Sequence, residues 1–254
     1  MKPTKPANTE DTPSDLGLRT SDSAARATDL GPRTSDSRLR TRPSSLFLAS
    51  SNPGKLLEFR EAAALRNVTV QPLPGFAQLP VCIEDGTTFE ENARKKAIHY
   101  SRDFSGSVFA DDSGICVDAL DGAPGIYSAR FAGPEATDQQ NNEKLLADLH
   151  QVEALRCAQA LQPPIQHRLF NRAAHYICVI ALAQAGQVIT AVEGRVDGVI
   201  IDEPRGASGF GYDPYFSYPP LGKTLAEISP EEKFAVSHRG AAFRKLLDFL
   251  STFK

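Results

Sequence analysis

From residue 45 onward the spacing of apolar positions changes repeatedly along the chain, and the changes predict alternating strands and helices. Leu46-Phe47-Leu48-Ala49 is a short unbroken apolar run of strand length, residues 55–65 carry apolar side chains at helical spacing, and Val68-Thr69-Val70 reads as a second strand. Together these predict a strand, loop, helix, strand unit. Thr87 and Thr88 each stand three residues before a glutamate, Glu90 and Glu91, and the two overlapping capping boxes predict a helix running to Arg102. Residues 107–110 and 115–120 read as strands on either side of a polar insertion. A loop rich in glycine and proline follows over residues 121–133, then a helix over 137–160. Two apolar runs, 175–183 and 188–192, are separated by Gln184-Ala185-Gly186-Gln187 and predict an antiparallel hairpin. A final helix starts after Ser237. The sequence of elements predicts an α/β protein with a mixed β-sheet flanked by helices, and a cleft between two lobes.

Residues 1–44 show none of this patterning. They lack aromatic residues, Val and Ile, and are rich in Ser, Thr, Pro, Asp and Arg. Such a segment cannot bury enough surface to offset its ordering entropy, so a disordered, dispensable low-complexity tail is expected ahead of a folded domain spanning 45–254. The nine residues 15–23 recur with one change at 29–37, too few copies for a repeat architecture.

The 254 residues are 41% apolar, ample for a core, yet no stretch approaches the length of a membrane span and no apolar segment follows the basic start. A soluble protein in the cytoplasm, without a membrane partner, is expected. The tail holds 8 Lys and Arg against 6 Asp and Glu, which leaves the rest of the chain with 20 against 25. An acidic body argues against a nucleic-acid partner, and acids in the tail argue against an organelle transit peptide. Cys82, Cys116, Cys157 and Cys178 stand singly, as buried reduced thiols do, rather than in the pairs that zinc sites or disulfide frameworks use.

Candidate chemistry gathers in four places. Ser51-Asn52-Pro53-Gly54-Lys55 joins a strand to a helix, where free amides, the helix dipole and a lysine suit phosphate oxygens; a plain connection fits equally, since the spacing is not that of a Walker A loop. In Ala110-Asp111-Asp112-Ser113-Gly114 the two carboxylates leave a strand on opposite sides, so only one faces a given ligand. A metal there needs a further carboxylate, for which Glu84 and Asp85 are candidates. Lys96 falls in the apolar stripe formed by Phe89, Ala93 and Tyr100, which calls for an anion or for a stem that snorkels to solvent. Finally, residues 208–214 combine glycines with Phe210 and Tyr212, and Lys233 and Ser237-His238-Arg239 supply donors.

These segments, in order, resemble the Ham1 or inosine triphosphatase family. The likeness rests on Ser50 to Lys55, the run from Glu84 to Ala93, Ala110 to Gly114, Gly122 to Arg130, Gly209 to Pro214, and Glu232-Lys233 through Ser237 to Gly240. It covers the body from Leu46 to about Leu250 and leaves the tail outside. The resemblance implies a long twisted mixed sheet, a homodimer, and a Mg²⁺-dependent pyrophosphatase acting on non-standard purine nucleoside triphosphates such as ITP, dITP and XTP. It assigns Ser50, Ser51, Asn52, Pro53, Gly54 and Lys55 to the triphosphate, with Lys96 and Ser113 completing those contacts. Glu84 and Asp112 would bind Mg²⁺, and Asp112 would act on the attacking water. Phe210, Gly211, Tyr212, Asp213, Lys233, His238 and Arg239 would form the base pocket. The stretch 155–172 is longer than the family pattern. A septum-associated nucleotide pyrophosphatase and a non-catalytic nucleotide sensor are the competing classes.

Overall fold

The computed structural model describes residues 42–64, 66–159 and 171–253; the expectations for most of the tail and for the middle of the 155–172 stretch lie outside the described residues. Seven strands form one sheet: β1 (Ser45–Leu48), β2 (Thr69–Pro72), β3 (Ser107–Val117), β4 (Ala173–Gln184), β5 (Gln187–Ile200), β6 (Phe216–Tyr218) and β7 (Lys223–Thr224). Their order is β2-β1-β3-β4-β5-β6-β7. β1 runs parallel to β2 and β3, and every later pair is antiparallel. The sheet is therefore mixed, with its parallel part built by the strand, helix, strand unit read from the sequence.

Helices α1 (Pro53–Ala64) and α5 (His238–Ser251) cover one face beside β1 and β3, and α2 (Phe89–Ser101) covers the other. The strand period of two divides the side chains between them. Leu46, Leu48, Phe109, Cys178, Ile180 and Leu182 pack with Phe59 of α1 and Phe243 of α5. Val108, Ala110, Val179, Ala181 and Ala183 pack with Ala93 and Ala97 of α2. Residues 178–183 are consequently buried without a break, which explains an apolar run in an antiparallel strand. The other half of the sheet packs with α3 (Asp138–Gln159) through Leu145 and Leu149.

Three expectations need correction. The runs at 107–110 and 115–120 are not two strands: a single strand ends at Val117, and Asp118–Leu120 form a 3-10 turn. β3 continues through the acidic pair because β4 supplies a complete ladder, with Asp111 opposite Ile180 and Asp112 opposite Val179. The strand expected at 188–192 extends to Ile200, and its polar residues Glu193, Arg195 and Asp197 mask the pattern. β6, β7 and the short helix α4 (Pro230–Val236) were not foreseen; α4 is started by a capping box between Ser229 and Glu232.

Two local devices help to place segments that are distant in sequence. Thr88 accepts from the Glu91 N–H at 3.1 Å and starts α2, while the Glu91 carboxylate takes the N–H of Thr87 at 2.7 Å. At the far end, α5 crosses β5 at Gly194, where an added Cβ would collide with the His238 carbonyl and the Ala242 amide. Only glycine admits that approach, and it sets His238 and Arg239 beside β3.

Candidate active site

A cleft of about 440 Å³ opens across β3. Its lining includes Ser50, Ser51, Asn52, Lys55, Glu84, Lys96, Asp112, Ser113, Phe210, Gly211, Tyr212, Asp213, Lys233, His238 and Arg239. Pro53 and Gly54 form the first turn of α1 and do not line it. Side chains from positions 50 to 239 thus share one hollow.

The two faces of β3 explain how the acidic pair divides. Asp111 lies on the same side as Phe109, toward α1 and α5, and meets Lys55 Nζ at 2.9 Å and Arg239 Nε at 3.7 Å. Its side chain is 1% exposed. Burial alone would raise its carboxyl, but the charges of Lys55 and Arg239 outweigh it and hold the group well below the usual carboxylate range. Asp111 is therefore a buried counter-ion. Asp112 lies on the α2 side, where Lys96 Nζ donates to it at 3.1 Å and Asn92 Nδ2 at 3.3 Å. Burial raises its carboxyl, and Lys96 only partly offsets the effect.

Lys96 answers the question its position raised. The ammonium stays inside, 11% exposed, and bridges Glu84 at 2.9 Å and Asp112 at 3.1 Å. Burial lowers its affinity for a proton, but Asp112, Asp111 and Glu84 together raise it above the ordinary lysine value. Two carboxylates thus converge on one cation. Asp85, the other acidic candidate, is exposed and pairs with Lys95 outside the cleft. Among the described residues no group of three or more His, Cys, Asp or Glu is arranged to hold a metal. The donor set of Glu84 and Asp112 suits a hard cation such as Mg²⁺, which keeps waters and takes its remaining ligands from substrate phosphates.

The turn before α1 differs from a simple amide cradle. Asn52 caps the helix, its Oδ1 accepting from the Lys55 N–H at 3.1 Å, while the Asn52 N–H donates to Ser50 Oγ at 3.2 Å. Two of the turn amides are therefore engaged within the chain. The Lys55 side chain is held by Asp111, so its charge reaches the cleft already paired.

At the other end Phe210 lies over two cations, its ring centroid 4.9 Å from Lys233 Nζ and 5.4 Å from the Arg239 guanidinium. Asp213 ties this corner together. One carboxylate oxygen accepts from the Phe210 N–H at 2.9 Å and from Lys233 Nζ at 2.7 Å. His238 is 3% exposed and stacks on Tyr176 at 4.5 Å with the rings 7° from parallel. Burial, reinforced by Arg239 and Lys233, pushes its imidazole well below the ordinary value. Its Nδ1 has no hydrogen-bond partner among the described residues. Arg239 Nη2 donates to Ser113 Oγ at 3.2 Å, joining this corner to the acidic pair.

Glu58 was missed by sequence reading and is central here. It takes Lys233 Nζ at 3.0 Å and Arg239 Nη1 at 2.7 Å. Burial raises its carboxyl, but the charges of Arg239 and Lys233 outweigh this and lower it. Nothing local marks a glutamate on α1 as the partner of residues 175 positions or more away; the only available signal was its place one turn after Lys55.

Residues 46–249 match the model of the Ham1 family. The chain is 46% identical over 201 residues, 79% of each chain, to a dITP/XTP pyrophosphatase of Syntrophobacter fumaroxidans. It is 45% identical over 212 residues to that of Acidobacterium capsulatum, covering 80% of this chain and 96% of the relative. A solved HAM1 protein of Coxiella burnetii superposes with a TM-score of 0.68 at 36% identity, over 82% of this chain and 98% of the other. With the fold, the ordered motifs and these matches in agreement, the chain belongs to the Ham1 family.

Proposed function

We propose that this chain hydrolyses non-standard purine nucleoside triphosphates, ITP, dITP and XTP, to the monophosphate and pyrophosphate. The observation that carries the reading is the pair Glu84 and Asp112, facing each other across Lys96 in a cleft that also holds Lys55 and the Phe210 corner. It is supported by relatives that bear the name dITP/XTP pyrophosphatase.

A water oxygen forms a bond to the α-phosphorus as the bridging oxygen between the α and β phosphorus atoms departs with pyrophosphate. Asp112 orients that water and accepts its proton. Mg²⁺, when bound by Glu84 and Asp112, supplies neutralisation of the phosphate charge. Lys55 and Lys96, each paired with carboxylate in the free protein, have ammonium N–H groups left to donate to the leaving oxygens as these become more negative. At the base end, Lys233, His238 or Arg239 donates to an oxygen at purine position 6. An amino group there sets donor against donor, which disfavours adenine. This argument does not reject guanine, whose position 6 is also a carbonyl.

Rates and products for ITP, XTP, dITP, GTP, ATP, dTTP and UTP, each with Mg²⁺ and with a chelator, test the reading. The expected result is pyrophosphate and monophosphate from the first three, little from ATP, and no turnover with the chelator. Orthophosphate release, or a preference for dTTP or UTP, would overturn it. The homodimer belongs to the same proposal and is checked by the mass in solution from light scattering.

A further inference from the structure

Helix α3 buries two asparagines along a stripe that also carries two leucines and a glutamate. Asn141, Leu145, Leu149 and Glu153 follow one another at a spacing of four, with Asn142 beside them, and the two amides are 3% and 6% exposed. A buried amide costs about 1–3 kcal/mol unless its groups are paired. These two reach into loops on either wall of the cleft. Asn141 accepts from the Ala132 N–H at 2.8 Å and donates to the Ala129 carbonyl at 3.2 Å, which fixes the turn that carries Arg130. Asn142 Nδ2 donates to the Gly211 carbonyl at 2.9 Å, and Asp138, one turn earlier, accepts from the Gly211 N–H at 2.7 Å.

Gly211 is thus gripped at both of its polar groups. With φ at +64° it occupies the left-handed region, where glycine is free to move elsewhere unless held. The residue before it is Phe210, whose ring covers Lys233 and Arg239. Asp213 secures the N–H of Phe210 from within the 208–214 loop; Ser208, Tyr212 and Asp213 are tied to Ala226, Ser128 and Lys233, and α3 holds the loop at Gly211, the residue next to Phe210.

We infer that Asn142, assisted by Asp138, is a positioning residue for the base end of the cleft, holding Phe210 where a purine is received; this rests on the purine reading above. The discriminating variant is Asn142→Asp, which keeps the shape and turns the donor facing the Gly211 carbonyl into an acceptor. Two measurements on the full chain are paired: hydrogen exchange of the peptide covering residues 208–214 without ligand, and steady-state kinetics on dITP with IMP and with pyrophosphate as inhibitors.

Exchange over 208–214 should quicken, KM for dITP should rise and IMP inhibition weaken by the same factor, about three- to tenfold, while kcat and pyrophosphate inhibition stay within about twofold. If the aspartate variant does not fold, Asn142→Leu, which suits the apolar stripe, is expected to move the same readouts. Unchanged exchange overturns the clamp. Faster exchange with unchanged IMP inhibition, or equal loss of IMP and pyrophosphate inhibition, overturns the assignment to the base end. Wild-type protein that neither turns over dITP nor binds IMP defeats the functional reading, and the base-end assignment falls with it, while the exchange arm still decides the clamp.

Discussion

Replacing Glu58 by glutamine removes one negative charge from between two buried cations, and the cost can be worked from the contacts. Lys233 and Arg239 are 5% and 2% exposed, and Glu58 meets them at 3.0 and 2.7 Å. Breaking a buried pair by removing one partner costs about 3–5 kcal/mol when the survivor is left uncompensated. Here the survivors keep other partners, Asp213 for Lys233 and Asp111 for Arg239, and the glutamine oxygen still accepts one hydrogen bond. The expected loss is therefore smaller, about 2 kcal/mol at pH 7 by the same reasoning, or about 4–8 °C in Tm for a domain of this size. The effect has a sign in pH. Because the carboxyl of Glu58 is lowered on folding, its stabilisation is complete above the unfolded value near 4.5 and fades as pH falls through the lower folded value. Denaturant unfolding of wild type and Glu58→Gln across pH 3 to 7 should give curves that converge toward the acid end. A loss under about 0.5 kcal/mol at pH 7, within the range of an ordinary surface substitution, or a gap that does not narrow with acid, would refute the reasoning.

Three further outcomes follow from the same geometry. Asp112→Asn should lower pyrophosphate release from ITP by about 10²–10⁴-fold with the melting temperature little changed, and retained turnover would remove Asp112 from its role. Lys96→Met leaves Glu84 and Asp112 facing each other without their ammonium; Mg²⁺ should therefore raise its Tm by more than it raises that of the wild type, as calorimetry with and without the ion would report. Gly194→Ala places a Cβ against the backbone of α5 and should cost more than about 2 kcal/mol by denaturant unfolding, since overpacking against backbone has no soft neighbour to yield.

How much of this was readable beforehand differs between strands, helices and site. Apolar runs and spacing found β1, β2, β4 and α1, and capping signals marked the starts of α2 and α5. Periodicity failed at β3, where Asp111 and Asp112 interrupt the apolar run although the ladder to β4 does not stop. It failed at the far half of β5 because Arg195 and Asp197 project to solvent and pair with each other. For the site, family motifs named residues that share the cleft, apart from Pro53 and Gly54, and strand alternation correctly separated Asp111 from Asp112. What sequence could not give was the pairing. Lys55 was read as suited to phosphate with no partner named and pairs with Asp111, Lys96 was left between anion and solvent and is clasped by two carboxylates, and Glu58 went unnoticed. Ion pairs between residues on different elements, 12 to 181 positions apart, leave no local pattern, since each member is an ordinary polar residue within its own segment.

The central claim is that the cleft directs water to the α-phosphorus of a purine triphosphate. Hydrolysis of ITP in water enriched in oxygen-18, followed by mass spectrometry of both products, tests it most directly. The label should appear in the phosphate of IMP, with unlabelled pyrophosphate; label in pyrophosphate, or release of orthophosphate in place of pyrophosphate, would contradict the account.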